Sequence, residues 1–402
     1  MKKRLAVLFL ALALLLPACA QNDGGGEGSG ATGSEGAGDS EGAAEGEPII
    51  VGYAGDFSDV YSFYDIPIRD GFQFAVDEIN ADGGVLGRPL ELRTSDGRND
   101  QAVTLEATQE MIDEGASYLI GTTGDPFLAQ AQVACSAGIP ISTGDGTAPT
   151  LVGDAGDCAF QLVMSDNQQG AVAAEYAREQ GYEKAFLVGS SEIPYTKNLP
   201  GYFREVFEDD GGEVVGEAEF RIESADFSPT VTRIRNADPQ PDVIFTSMFV
   251  PDSPVFMRQL RAAGVDIPVI STDGSHDASL LEAGKAVEGM TFTTHGLPAD
   301  NELAELFSAY EEAEGSSPDS PVFGVGYDEA HLLAQAIEDA GTSEPADIIA
   351  ALGELSEVEG STGTVTMDPE TRRSEKTIAV VSVKDGEFTL VDSRTPETVP
   401  DP

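Results

Sequence analysis

The chain has 402 residues, 41% of them hydrophobic, enough for two domains of ordinary size with a core in each. Its 71 Asp and Glu outweigh 22 Lys and Arg to give a formal net charge of −49 at pH 7, and nearly all of that acidity lies beyond residue 47. So negative a surface argues against nucleic acid, whose binding depends on Lys and Arg meeting phosphate, and against broad contact with anionic lipid. It predicts a strongly solvated surface whose self-repulsion weakens when salt screens it.

Lys2, Lys3 and Arg4 precede an unbroken apolar run over residues 5–16. That run is too short for a permanent membrane span and has the length of a secretory signal. Leu15-Leu16-Pro17-Ala18-Cys19 then places small residues before a cysteine and resembles the lipobox of bacterial lipoproteins. The resemblance implies a signal over residues 1–18 and a lipid on the sulfur of Cys19. Residues 20–47 are almost entirely Gly, Ala, Ser, Glu and Asp, with no long aliphatic or aromatic side chain. Such a segment cannot offset its ordering entropy and is expected to be a disordered tether. The expected location is therefore outside the cell, anchored to the outer face of the membrane. With Cys19 lipidated, Cys135 and Cys158 remain as an even pair in an exported protein, which favours a disulfide over two unpaired buried thiols.

From Pro48 onward, short apolar runs alternate with helix-period segments. Residues 49–53 predict a buried strand. A helix near 66–80 carries Ile68, Phe72, Ala75, Val76 and Ile79 on one face, and Asp82-Gly83-Gly84 stops it. Strands follow at 90–94, 118–120 and 139–141, with helices between them, the first near 100–114. This alternation predicts an α/β fold, a parallel sheet with helices on both faces. The rhythm restarts after about residue 165. Strands at 185–188, 214–220, 243–245 and 269–270 alternate with helices near 197–210, 228–237 and 253–263, the first of these presenting Leu199, Phe203, Val206 and Phe207. Two such units predict two Rossmann-like lobes. The last third offers helices near 301–313, 325–340 and 345–353, with strands only after about residue 363. Those helices must cover sheets that already exist, so the chain is expected to cross between the lobes more than once.

The stretch from Asp70-Gly71-Phe72-Gln73-Phe74-Ala75 through Asn80-Ala81-Asp82-Gly83-Gly84 to Gly87-Arg88-Pro89-Leu90 resembles the start of type I periplasmic binding proteins, in particular the branched-chain amino-acid branch serving ABC transporters. Further pieces follow in the family's order: Ile120-Gly121, Ala137-Gly138-Ile139-Pro140-Ile141-Ser142, Thr147-Ala148-Pro149, Asp166-Asn167-Gln168-Gln169-Gly170, Asp226-Phe227-Ser228, Pro241-Asp242-Val243-Ile244-Phe245, Arg258-Gln259-Leu260-Arg261-Ala262-Ala263-Gly264 and Glu288-Gly289-Met290. The resemblance implies two lobes joined by hinge crossovers near residues 164, 294 and 363, so that residues 48–164 with 295–362 form one lobe and 165–294 with 363–402 the other. It also implies a monomer that closes on a small ligand and passes it to an ABC permease, with no cofactor. Position by position, Thr147 and Ala148 match the loop that takes a ligand carboxylate, and Asp273 matches the acid that takes an ammonium. Tyr64, Tyr195 and Phe249 fall where the family places aromatic residues.

One departure stands out. Where the family supplies a carboxylate-binding serine, this chain reads Thr122-Thr123-Gly124-Asp125-Pro126, which makes Thr123 and Asp125 candidates for the ligand wall. Asp followed by Pro is also a good helix start, so Asp125 is read either as a cap or as a group that repels carboxylates. Asp145, within Gly144-Asp145-Gly146, adds a second carboxylate to that doubt. No nucleophile elbow, phosphate-binding loop or His-Glu-x-x-His motif is present, and His276, His295 and His331 lie far apart without metal-ligand spacing. The sequence therefore predicts a binder and no enzyme. Its ligand is read as an aliphatic amino acid, with urea or another short amide as the alternative, and a ligand-sensing surface receptor as the alternative to transport.

Overall fold

The computed structural model describes residue 44 and residues 46–124, 126–299, 301–318 and 320–402. The signal, Cys19, most of the tether and Asp125 lie outside the described residues.

The first sheet is formed by β1 (Ile49–Gly55), β2 (Leu90–Asp96), β3 (Tyr118–Ile120), β4 (Ile141–Ser142) and β5 (Ala159–Phe160). Between them run α1 (Ser62–Ala81), α2 (Gln101–Asp113), α3 (Phe127–Ala137) and α4 (Thr150–Ala155). The strands pair in the order β2-β1-β3-β4-β5, all parallel. Because strand side chains alternate in direction, Ile49, Val51 and Tyr53 enter one core with α1, while Ile50 and Ala54 enter a second beneath α2 and α3. Both faces are covered, which is why β1 reads as a continuous apolar run. Cys135 at the end of α3 and Cys158 beside β5 are joined by a disulfide.

A capping box at Ser165 and Gln168 starts α5 (Asp166–Glu179) and carries the chain into the second lobe. There β6 (Lys184–Gly189), β7 (Glu213–Glu219), β8 (Val243–Thr246), β9 (Val269–Ser271) and β10 (Thr291–Thr294) alternate with α6 (Pro194–Asp209), α7 (Ser228–Arg235), α8 (Asp252–Ala262) and α9 (Ala278–Leu281). The chain then returns to the first lobe as α10 (Glu302–Glu314), α11 (Val322–Ala340) and α12 (Pro345–Gly353). The approach of α11 to α1 depends on two glycines. A Cβ on Gly71 would lie 1.9 Å from the Phe323 carbonyl oxygen, and one on Gly326 would lie 2.1 Å from that of Ile68. Side chains at these positions would push the helices apart.

The return to the second lobe falls later than the boundary near 363 that the sequence suggested. β11 (Val365–Asp368) and β12 (Arg373–Lys376) form an antiparallel pair, and Val365 and Met367 are buried in the first core. Only β13 (Ile378–Lys384) and β14 (Glu387–Arg394) join the second sheet, in the order β14-β13-β10-β9-β8-β6-β7. Those two strands are antiparallel, so the second sheet is parallel only as far as β10. Among the described residues, no helix is long and apolar enough to cross a membrane.

Candidate functional site

The carboxyl ends of the parallel strands of both lobes face a common cleft, where the loops leave backbone groups outside the sheet ladder. It holds a cavity of about 150 Å³, a size that in an engineered case admits benzene. Tyr64, Thr123, Thr147, Ala148, Tyr195, Phe249 and Asp273, all singled out from sequence, line it together. The sequence reading missed Tyr61, Leu128, Leu151 and Ile193, which supply much of its apolar wall. Ordinary core side chains carry no local signal that a cleft lies beside them.

On the first lobe a buried carboxylate organises the loops. Asp65, in the first turn of α1, accepts hydrogen bonds from the Asp56 N–H (2.7 Å), the Thr122 hydroxyl (2.7 Å) and the Thr123 N–H (3.1 Å). Burial pushes its pKa up to about 6, against the lowering effect of these donors. Thr123 in turn accepts the Asp145 N–H at 3.3 Å. In the loop between β4 and α4, no hydrogen bond from the N–H of Thr147 or Ala148 is formed among the described residues, although Ala148 is only 6% exposed. Two backbone donors without an acceptor, on residues that line the cavity, suit an anionic group, since a buried N–H left unpaired costs free energy.

On the second lobe Asp273 directly follows β9. Its Oδ1 accepts the Tyr195 hydroxyl at 2.8 Å, and Tyr195 also meets Thr272 at 2.6 Å and receives the Gly274 N–H at 3.1 Å. Burial raises the pKa of Asp273; His295 opposes that rise, and Asp145 adds to it. Phe249 stands at 6.2 Å from the Tyr195 ring, edge to face.

The residue least visible in the sequence is His295, just past β10. Its Nε2 lies 2.8 Å from Asp145 Oδ1 and 3.7 Å from Asp273 Oδ2, with all three side chains almost wholly buried. Neither ring nitrogen makes an aligned hydrogen bond, so the contact with Asp145 is a close approach that becomes an ion pair when the imidazole is protonated. Burial pulls the His295 pKa down, but Asp145 and Asp273 outweigh it and leave it raised. The three side chains bring an oxygen or nitrogen each within 4.8 Å of the others. With the imidazole charged, the group is one cation between two carboxylates. His276, three residues past Asp273, does not line the cavity. It bonds Thr294 at 2.7 Å and packs on Phe292 and Phe388, and burial lowers its pKa to about 3.

Two α/β lobes around a small cavity with charged and apolar walls define a two-lobed solute-binding protein. The chain matches the family model described as periplasmic binding protein over residues 48–387 and belongs to that family. It is 26% identical over 321 residues to the Leu/Ile/Val-binding protein BraC3 of Rhizobium johnstonii, covering 79% of this chain and 87% of that one. Among solved structures, the leucine-binding protein LivK of Thermotoga maritima is similar with a TM-score of 0.77 at 25% identity, over 87% of this chain and 99% of that one. A solute-binding protein of R. palustris in complex with 4-hydroxybenzoate has the same fold, with a TM-score of 0.76 at 24% identity, over 88% of this chain and 98% of that one.

Proposed function

We propose that this protein captures an aliphatic amino acid of the branched-chain type between its lobes and presents it to an ABC permease. The observation that carries the reading is the polarity of the cleft: unpaired N–H groups of Thr147 and Ala148 on one wall, the Asp273 carboxylate on the other, apolar side chains between. That pattern suits a carboxylate, an ammonium and a branched side chain in one small molecule. A solute touching both walls has more affinity for the closed arrangement than for an open one, so binding selects closure. On this reading the protein is a monomer held outside the membrane by a lipid on Cys19, as the order of basic residues, apolar run and cysteine suggests.

The test is a thermal-shift panel on protein unfolded and refolded to remove carried-over solute. It would contain the twenty amino acids, urea, short amides and 4-hydroxybenzoate at about 1 mM. A solute at roughly 1,000 times its Kd adds about 4 kcal/mol to native stability. The expected result is a shift with leucine, isoleucine or valine. A shift confined to 4-hydroxybenzoate, or to urea and amides, overturns the amino-acid reading.

A further inference from the structure

We infer that His295 sets the charge the cleft accepts: held between Asp145 of the first lobe and Asp273 of the second, it cancels one of two carboxylates and makes the site a receptor for a zwitterion in place of a cation. The inference rests on the proposed amino-acid reading and deepens it.

Asp145 and Asp273 both line the cavity that Thr147 and Ala148 also line. Two uncompensated carboxylates in so small and buried a space would repel a solute carboxylate from those N–H groups, because Coulomb interactions there are only weakly screened. The other ionisable groups nearby do not remove the conflict. Lys376, from β12, bonds the Thr362 hydroxyl at 2.6 Å and pairs with buried Asp328 at 3.8 Å, so its charge is already engaged. His276 has its pKa lowered to about 3 and is neutral. Asp166, at the start of α5, is buried and does not line the cavity; its Oδ1 accepts a hydrogen bond from Gln169 Nε2 at 3.0 Å. The charge balance of the cleft therefore falls to Asp145, Asp273 and His295. With the imidazole protonated the triad carries a net −1, which one ammonium matches. With it neutral the triad carries −2, which suits a cation and opposes a carboxylate.

The sign with pH follows. The carboxylates hold the His295 proton above the ordinary imidazole range, so zwitterion affinity is full on the acid side of that raised pKa and falls as pH rises through it.

The experiment compares L-leucine with L-leucinamide, which keeps the ammonium and side chain but has no carboxylate, by titration calorimetry at pH 7. His295→Gln is expected to weaken leucine at least about tenfold while leaving leucinamide unchanged or tighter. The double variant His295→Gln with Asp145→Asn returns the triad to −1 and is expected to restore leucine to within about threefold of wild type. A merely structural role for His295 would not produce that rescue. Wild-type protein supplies a readout that needs no variant: the His295 Cε1–H resonance should titrate above 6.5, and leucine affinity should fall through the same midpoint. Equal weakening of leucine and leucinamide, a His295 midpoint below 6.5, or a stoichiometric metal lost together with leucine binding on chelation would each overturn the inference. If leucine binds and His295→Gln treats both ligands alike, this inference alone falls. If no amino acid binds wild-type protein, the functional reading falls and takes this one with it.

Discussion

The two walls of the cleft are made from equivalent strand-end loops but offer opposite chemistry by different means. The first lobe presents backbone: the N–H groups of Thr147 and Ala148, placed by a loop that Asp65 and Thr123 brace from behind. The second lobe presents a side chain, Asp273, held by Tyr195. The difference has a physical origin. A loop exposes donors simply by leaving its N–H groups out of ladder and helix, whereas a buried anionic acceptor must be a carboxylate whose desolvation is offset by fixed partners. The first wall should therefore depend on loop placement and tolerate side-chain change, and the second should depend on individual side chains.

The largest effect should come from the second wall. Asp273→Ala is expected to weaken leucine by roughly 100-fold or more, the cost of leaving a buried ammonium unpaired, as read by titration calorimetry; a change below about threefold would take Asp273 out of the ligand's reach. On the first lobe, replacing Cys135 and Cys158 together by Ser should lower unfolding free energy by about 3 kcal/mol in denaturant titration. Leucine affinity should stay near wild type, because the bridge joins α3 to β5 away from Thr147 and Ala148. Loss of binding at retained folding would make the bridge part of the first wall.

Glu329 sharpens the contrast through pH. It sits beneath the first sheet, accepting bonds from Tyr118 and Ser142, and burial raises its pKa to about 7. A carboxyl with a raised folded pKa contributes stability that is full below its unfolded value near 4.5 and is lost as pH rises to about 7. Glu329→Gln should therefore remove about 2–3 kcal/mol of the stability that wild type loses between pH 5 and pH 8, measured as the difference between the two proteins in denaturant. Identical pH profiles would mean that Glu329 titrates normally. The smallest effect is Tyr195→Phe, which removes one donor to Asp273 and should cost about 1–2 kcal/mol of leucine affinity, a roughly tenfold rise in Kd.

The same difference between walls governs what could be read from the sequence. Helices with a clear apolar stripe, such as the one over residues 66–80, lie within α1 as expected, and the strand at 118–120 has the predicted bounds. The short strands β4 and β5 and the polar-looking β10, Thr-Phe-Thr-Thr, carry too little pattern to be seen or bounded well. Val365 and Met367 alternate as any strand would, and only their burial in the first core reveals which lobe owns them. Asp273, Tyr195 and Phe249 were legible as side chains through the family resemblance. In the sequence Asp145 reads only as an awkward charge and His295 only as one of three scattered histidines, because its partners stand 150 and 22 positions away in the chain.

The central claim is that one small solute is held by its negative end on the first lobe and its positive end on the second. The most direct measurement is calorimetric titration of refolded protein with L-leucine, 4-methylpentanoate and 3-methylbutylamine, the last two carrying one charged end each. The account predicts that leucine binds and that each fragment binds at least about 100-fold more weakly. An amine that binds as tightly as leucine would contradict the role of Thr147 and Ala148, and an acid that binds as tightly would contradict the role of Asp273.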